Sequence, residues 1–430
     1  MLESTRGRVG VNHQSFLKGE TMAIEIVVES KLEKEEEREQ FSSYLKQLCE
    51  KKQLKIEDYD TSVIIEVCPY GYIECSYEGR FVSLASESDV AGPGFHAYVC
   101  SFIDEVIADN NSMKWEVSDP AKYYEERNFE NLKYGTFYRW LRDIREYAGK
   151  NEINEICWNN DFYRPSSLEN HLVTPLGYIS KEDFLNRDIE DLANDFFIWN
   201  TQERDARFYR NCALALLCKD GFFSYSAMNE FTDKMANTII DYLEAAYEKD
   251  DTEALPMKEY RLLCNAIYRQ EAIKHANLLE LHNAGYRKNT IYYPFGNWDI
   301  PMDGFAEKSF DKSTQTMHFM APYKSADTPW EWMVKVNAYT FDAEVSNYVE
   351  AIKHPSKETI EEFSICSENC DGKGIVENLG EYLRILVQFN HEHDMLFIEG
   401  FASDEASIHK LKTYCEQVVH QVREEETIKN

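Results

Sequence analysis

The stretch SVIIEVCPYGYIECSYEGRFVSLAS, residues 62–86, decides the fold class. Its three runs, SVIIEVC, YIECSYE and RFVSLAS, alternate apolar and polar residues with the two-residue period of a half-buried strand, and the separators PYG and GR are turn material. The spacing predicts an antiparallel meander. Outward from it, AIEIVVE (23–29) predicts another strand, and KEEEREQFSSYLKQLCEKK (34–52) a helix with Phe41, Tyr44, Leu45 and Leu48 on one face. A helix from about Phe95, a strand MKWEVS and a long helix FENLKYGTFYRWLRDIREYA follow. Residues 22–150 therefore predict an α+β domain, an N-terminal antiparallel sheet with helices on one side.

Residues 151–180 carry Pro165, Pro175 and few periodic apolar residues, and read as a connector. Over 181–288 the period becomes helical, in KEDFLNRDIEDLANDFFIW, TQERDARFYRNCALALLCK, SAMNEFTDKMANTIIDYLEAAYEK and MKEYRLLCNAIYRQEAIKHANLLELHNAG. Acidic residues Glu203 and Asp205 mark one helix start, and Gly285 ends the last helix. No fixed period recurs, so a helical repeat array is not expected. Residues 289–425 return to strands, with helices near FDAEVSNYVEAIK and SDEASIHKLKTYCEQVVHQV, which predicts a C-terminal antiparallel α/β sandwich domain; 426–430 is a tail.

The chain has 430 residues, 43% hydrophobic, enough for more than one core. Its net charge of −31 divides evenly, with +1 over 1–21, −10 over 22–150, −9 over 151–288 and −13 over 289–430. An evenly acidic surface argues against direct nucleic-acid binding, which needs clustered Lys and Arg. No apolar run reaches the roughly 20 residues of a membrane span, so no membrane contact and a cytoplasmic location are expected. Eleven scattered cysteines predict reduced thiols. Residues 1–21 lack periodicity, and Lys18-Gly19-Glu20 can be encoded by a sequence like a ribosome-binding site. We therefore expect a bacterial start at Met22 and a mis-assigned or disordered extension before it.

In the last third, IYYPFGNWDIPMDGF, the VKVNAYTF strand, the YLRILVQF/MLFIEGFA hairpin and a closing helix follow one another. This order, over about 289–425, resembles the Mog1/PsbP-like α/β/α fold. That resemblance implies a binding or adaptor domain.

Three groups of side chains are candidates for chemistry or recognition. His96, Cys100 and Asp104 fall four residues apart on the Phe95 helix, one ridge on which a thiol, a base and an orienting acid could meet. Against this, the spacing places His96 at the edge of the apolar face with Cys100 and Asp104 turned outward, and no oxyanion donors follow from the sequence. The preceding Gly92-Pro93-Gly94 could hold an anion on a helix N-terminus, or serve only as a sharp strand-to-helix turn. Cys366 and Cys370, with His391 and His393, offer four zinc-type ligands in two short clusters. Trp330 and Trp332 share one side of a strand, either as interface anchors or as a core pair.

No segment supplies nucleophile, base and oxyanion donor together, and no cofactor fingerprint is present, so no cofactor is expected. The sequence therefore predicts a non-enzymatic cytosolic protein-binding protein of adaptor, inhibitor or immunity type, its acidic surface suited to a basic protein partner. The alternative is a hydrolase or transferase with its site between the N-terminal and helical segments.

Overall fold

The computed structural model describes residues 23–59, 61–151, 153, 156, 170–219, 230–281, 290–304, 306–321, 331–366 and 370–421. Residues 1–21, Gly285, the tail and most of the expected connector lie outside these. The fold is α+β. Its first sheet contains β1 (Glu25–Lys31), β2 (Lys55–Asp58), β3 (Ser62–Cys68), β4 (Gly71–Glu78), β5 (Phe81–Glu87) and β6 (Glu116–Ser118). The order is β2-β3-β4-β5-β1-β6, and every neighbour is antiparallel. The meander expected from residues 62–86 is its centre. Glu78 pairs with Phe81 across the two-residue turn Gly79-Arg80, where Gly79 adopts φ +55°, a conformation that a side chain disfavours.

Helices α1 (Glu37–Lys51) and α2 (Pro93–Asp109) bury their apolar residues against this sheet. Ile26, Val28, Val63, Ile65, Ile73 and Leu84 join Phe41 and Leu45 of α1 and Phe95, Val99 and Phe102 of α2 in one buried cluster. Each such side chain contributes about 1.5–3 kcal/mol by leaving water. A short helix α3 (Tyr123–Glu126) and a π-helical segment, Asn131–Phe137, lead into α4 (Tyr138–Lys150).

The last ten residues of the expected connector form a hairpin of β7 (His171–Thr174) and β8 (Gly177–Ser180). Beyond it are α5 (Lys181–Asn186), α6 (Ile189–Asn194), α7 (Ala206–Lys219), α8 (Glu230–Lys249) and α9 (Met257–Ala266). Two expected helices are shorter than their apolar patterns suggested. The 181–199 helix breaks in two because Asp188 caps a new start, its side chain accepting from the Glu190 amide at 2.8 Å. The helix expected to reach 285 stops at Ala266. Tyr268 turns left-handed (φ +56°), and the Tyr260 hydroxyl accepts the Ala272 and Ile273 amides. The apolar core that begins at Ile24 continues without a break to Ile273.

A second core follows. Strands β9 (Thr290–Phe295), β10 (Trp298–Asp303) and β18 (Val419–His420) form a three-stranded antiparallel sheet. Strands β11 (Glu307–Asp311), β12 (Thr316–Met320), β13 (Trp332–Thr340), β14 (Thr359–Cys366), β15 (Asp371–Asn378), β16 (Leu383–His391) and β17 (Asp394–Ala402) form a seven-stranded antiparallel sheet, ordered β11-β12-β13-β17-β16-β15-β14. Its inner face, with Val334, Val336, Ile385 and Ile398, packs under α11 (Glu405–Cys415) and Trp298. The helix expected over 341–353 shrinks to α10 (Glu350–Lys353). The Phe341 and Val345 amides instead donate to carbonyls of His393 and Glu392, and Gln388 bonds the backbone at Asn347 and Val349. Val173 and Cys218 join this second core from β7 and α7. Among the described residues no helix is long and apolar enough to cross a membrane.

Candidate functional site

Helix α2 starts at Pro93 because Gly92 turns with φ +99° and proline suits the first helical position. The first turn does not face solvent. The segment Phe196–Thr201 lies across it: the Gly94 amide donates to the Trp199 carbonyl at 2.9 Å and the Trp199 amide to the Ala91 carbonyl at 2.9 Å. The Trp199 indole is packed between Tyr98 and Phe208, with the Arg204 guanidinium over all three rings. The backbone of this strap occupies the place where an anion would sit. The glycines are there for its close approach.

One turn into the helix, His96 is fully buried. Its Nδ1 lies 3.0 Å from Ser88 Oγ, and its Nε2 lies 3.3 Å from Asp119 Oδ1, a carboxylate that follows β6. Phe137 and Tyr123 meet the imidazole edge-on. Cys100 is fully buried one further turn along, and its Sγ, the His96 nitrogen and the Asp119 oxygen all lie within 4.8 Å of one another. Asp104 does not join them. It is exposed and pairs with Arg127 at 2.9 Å. The helical row thus contributes two of its three members, and the acid comes from Asp119.

Sequence reasoning missed this because Asp119 reaches the histidine only through the pairing of β6 with β1. Its local signature was legible. Asp119 precedes Pro120 at a helix start, and its carboxylate accepts the amides of Ala121 (2.9 Å) and Tyr124 (2.8 Å). Burial acts to raise its pKa, but the contact with His96 and these amides outweigh it and hold the carboxyl below its ordinary range. For Cys100 burial dominates, with the Asp119 charge adding to it, and pushes the thiol up to about 12.

Ser88, His96 and Asp119 have the connectivity of a hydroxyl, an imidazole and an acid. Ser88 and His96, however, have no exposed surface, so no substrate reaches them in this conformation. A thiol that is buried and protonated at neutral pH is a poor nucleophile. In a native alkylation experiment with iodoacetamide, exposed Cys366 is expected to label first of the described cysteines and Cys100 only after unfolding; a Cys100 reacting like a free thiol would show that the site opens.

The four C-terminal ligand candidates do not converge. Cys366 is exposed at the end of β14, while Cys370 is buried with its Sγ 3.8 Å from the Val418 carbonyl. His391 stacks on His420, ring centroids 4.1 Å apart, and His393 lies in the turn beyond β16. His420 itself meets Asp394 at 2.8 Å, and Asn297 and Thr340 donate to the same carboxylate. Among the described residues the group of metal-type ligands drawn together is His96, Cys100 and Asp119.

Trp330 lies outside the described residues. Trp332 is fully buried and faces the inner core, so it cannot anchor a partner. The exposed aromatic surface is on the opposite side of the same sheet. Register places Met320, Met333 and Phe401 in one row across β12, β13 and β17, and Tyr339 with Met395 in another, with Phe397 between the rows. Met320 and Tyr339 are exposed, and the other four are half-buried. Segment 345–354 covers the β15–β16 end of this face, through Gln388.

A pocket of about 270 Å³ lies between the β7–β8 hairpin, α5, α7 and residues 279–281. Its two guanidiniums are spoken for. Arg187 and Arg210 both donate to Asp195, and Arg210 also to Glu253 at 2.6 Å.

The chain matches no protein family, and no curated protein matches it. A crystal structure from Bacteroides thetaiotaomicron VPI-5482 is similar over 30% of this chain, at 10% identity and a TM-score of 0.23. The match spans 46% of that structure, less than half its length.

Proposed function

We propose that this chain is a non-enzymatic cytosolic protein-binding protein, and that it docks a basic partner on the outer face of the seven-stranded sheet. The observation that carries the reading is a pair of apolar groups on one face, Met320, Met333 and Phe401 on one side of the Lys335–Glu399 ion pair and Phe397, Tyr339 and Met395 on the other, with the inner face of the same sheet packed. Exposed apolar surface of this kind, rimmed by charge, marks interaction sites.

The rim is acidic at both ends. Glu331, Asp404 and Glu405 flank one end of β13 and β17, and Asp342 and Glu344 follow the other. Two basic groups on the face are already paired, Lys335 with Glu399 and Arg384 with Glu377. With a net charge of −31, such a surface attracts lysine- or arginine-rich partners and speeds their encounter. The resemblance of the last third to a fold with adaptor roles agrees with this. So do the free thiols, which suit a reducing compartment. The hydrolase reading would need a route from solvent to Ser88 and His96.

The test is affinity capture with the full chain, from cells of the organism that encodes it. A stoichiometric partner is expected on the wild-type chain and should elute as salt rises. Met320→Glu with Tyr339→Glu is expected to weaken capture at least about tenfold, the effect of losing an anchor of about 1.4 kcal/mol or more. Unchanged thermal unfolding would show the double variant to be folded. Equal retention by the variant, or turnover of an ester, phosphate or nucleic-acid substrate by the purified chain, would overturn the proposal.

A further inference from the structure

We infer that His96, Cys100 and Asp119 form a buried site for a divalent ion of the zinc class, held by His96 Nε2, Cys100 Sγ and Asp119 Oδ1. The three donors come from two elements. His96 and Cys100 are one turn apart on α2, a spacing that aims both side chains along one ridge, and Asp119 approaches from the corner between β6 and α3.

The distances fit an ion between them. One ligand atom from each of the three residues lies within 4.8 Å of the others, and His96 Nε2 is 3.3 Å from Asp119 Oδ1. Two zinc bonds of about 2.0–2.1 Å at the tetrahedral angle place their donor atoms about 3.3 Å apart. A simple histidine–carboxylate hydrogen bond accounts for the geometry less well. At 3.3 Å, Nε2 is farther from the carboxylate than the about 2.7–2.9 Å of a charge-assisted hydrogen bond, and this fully buried nitrogen makes no hydrogen bond of standard geometry.

The outer contacts are those that orient ligands. Ser88 Oγ meets the other imidazole nitrogen at 3.0 Å, leaving Nε2 directed at the cluster. The Ala121 and Tyr124 amides fix the Asp119 carboxylate. The donor set of one nitrogen, one sulfur and one oxygen selects a borderline ion over calcium or magnesium, which take oxygen ligands. A thiolate and a carboxylate balance its two positive charges, and three protein donors leave one tetrahedral place for a small ligand such as water. Bound there, the ion would tie α2 to the β6–α3 corner, a role independent of the partner-binding face.

The full chain, unfolded in urea with a chelator, refolded and then dialysed against zinc chloride, is expected to retain one zinc per chain. Cys100→Ser and Asp119→Asn should each weaken retention at least about tenfold. Because either variant could fold poorly, the wild-type chain loaded with cobalt provides the second readout. A thiolate-to-cobalt charge-transfer band is expected in the near ultraviolet, kept in Cys366→Ser and lost in Cys100→Ser. Well under one equivalent of zinc on the wild-type chain, absence of that band, or its persistence in Cys100→Ser would overturn the assignment.

Discussion

Gly94→Ala is expected to destabilise the protein by about 3 kcal/mol, at the upper end of the cost of overpacking a core. A Cβ built on Gly94 would stand 2.1 Å from the Thr201 carbonyl oxygen and 2.2 Å from Cδ1 of Trp199. Neither can withdraw cheaply. The Trp199 indole is 3% exposed and held by Phe208 and Tyr98, and its amide is bonded to Ala91. To admit the methyl group, the strap from Phe196 to Thr201 must lift from α2, uncovering Phe197 and breaking the Gly94–Trp199 hydrogen bond. Gly149→Ala is the matched control. Near the exposed end of α4, its added Cβ meets only Leu185 Cδ2 at 3.5 Å, so alanine's helix preference should leave stability equal or raise it by about 0.5–1 kcal/mol. Urea unfolding followed by tryptophan fluorescence measures both, and a Gly94 variant within about 0.5 kcal/mol of wild type would refute the packing argument.

That glycine also shows where the sequence stops being informative. Gly92-Pro93-Gly94 announced a strand-to-helix turn, and the turn is there. What the triplet faces was not legible, because the strap that crosses it lies about a hundred residues downstream and has no period of its own. The same limit applies to the candidate cluster. Periodicity located α2 and singled out His96 and Cys100, since i, i+4 neighbours are a local property. It offered Asp104 as the third member by the same rule, but the helix turns that residue to solvent and Arg127 takes it. Asp119 is a long-range contact that depends on strand pairing.

The central strands of the two large sheets were legible, because alternation is written into residues such as Ile24 to Val28 and Val334 to Ala338, whereas β2, β11, β14 and β15 were not singled out. Expected helices failed where a distant group offered the backbone a better partner. Tyr260 captures the Ala272 and Ile273 amides after α9, and Gln388 accepts the Val349 amide before α10 and donates to the Asn347 carbonyl. Trp332 illustrates the remaining ambiguity of a strand. Its period was correct, but which face would be covered depended on α11 and the three-stranded sheet, far away in the chain.

Arg210→Met is expected to cost about 3 kcal/mol or more, because it strands the acids that its guanidinium serves. Arg210 is 5% exposed on α7 and makes four hydrogen bonds: to Asp195 at 2.9 Å, to Glu253 at 2.6 Å and two to Asn211. Asn211 in turn donates to the carbonyls of Asn194 and Phe197, so the same centre holds the end of α6 and the start of the strap over α2. Methionine fills much of the volume but supplies no donor. Glu253, with only 13% of its side chain exposed, is then left with Arg207 at 3.6 Å as its remaining cation, while half-exposed Asp195 keeps Arg187 and adjacent water. The cost therefore falls mainly on Glu253. Glu253→Gln added to Arg210→Met should recover about 1 kcal/mol or more by removing the uncompensated charge. Additive losses in that double-mutant cycle would show that Arg210 acts through packing alone.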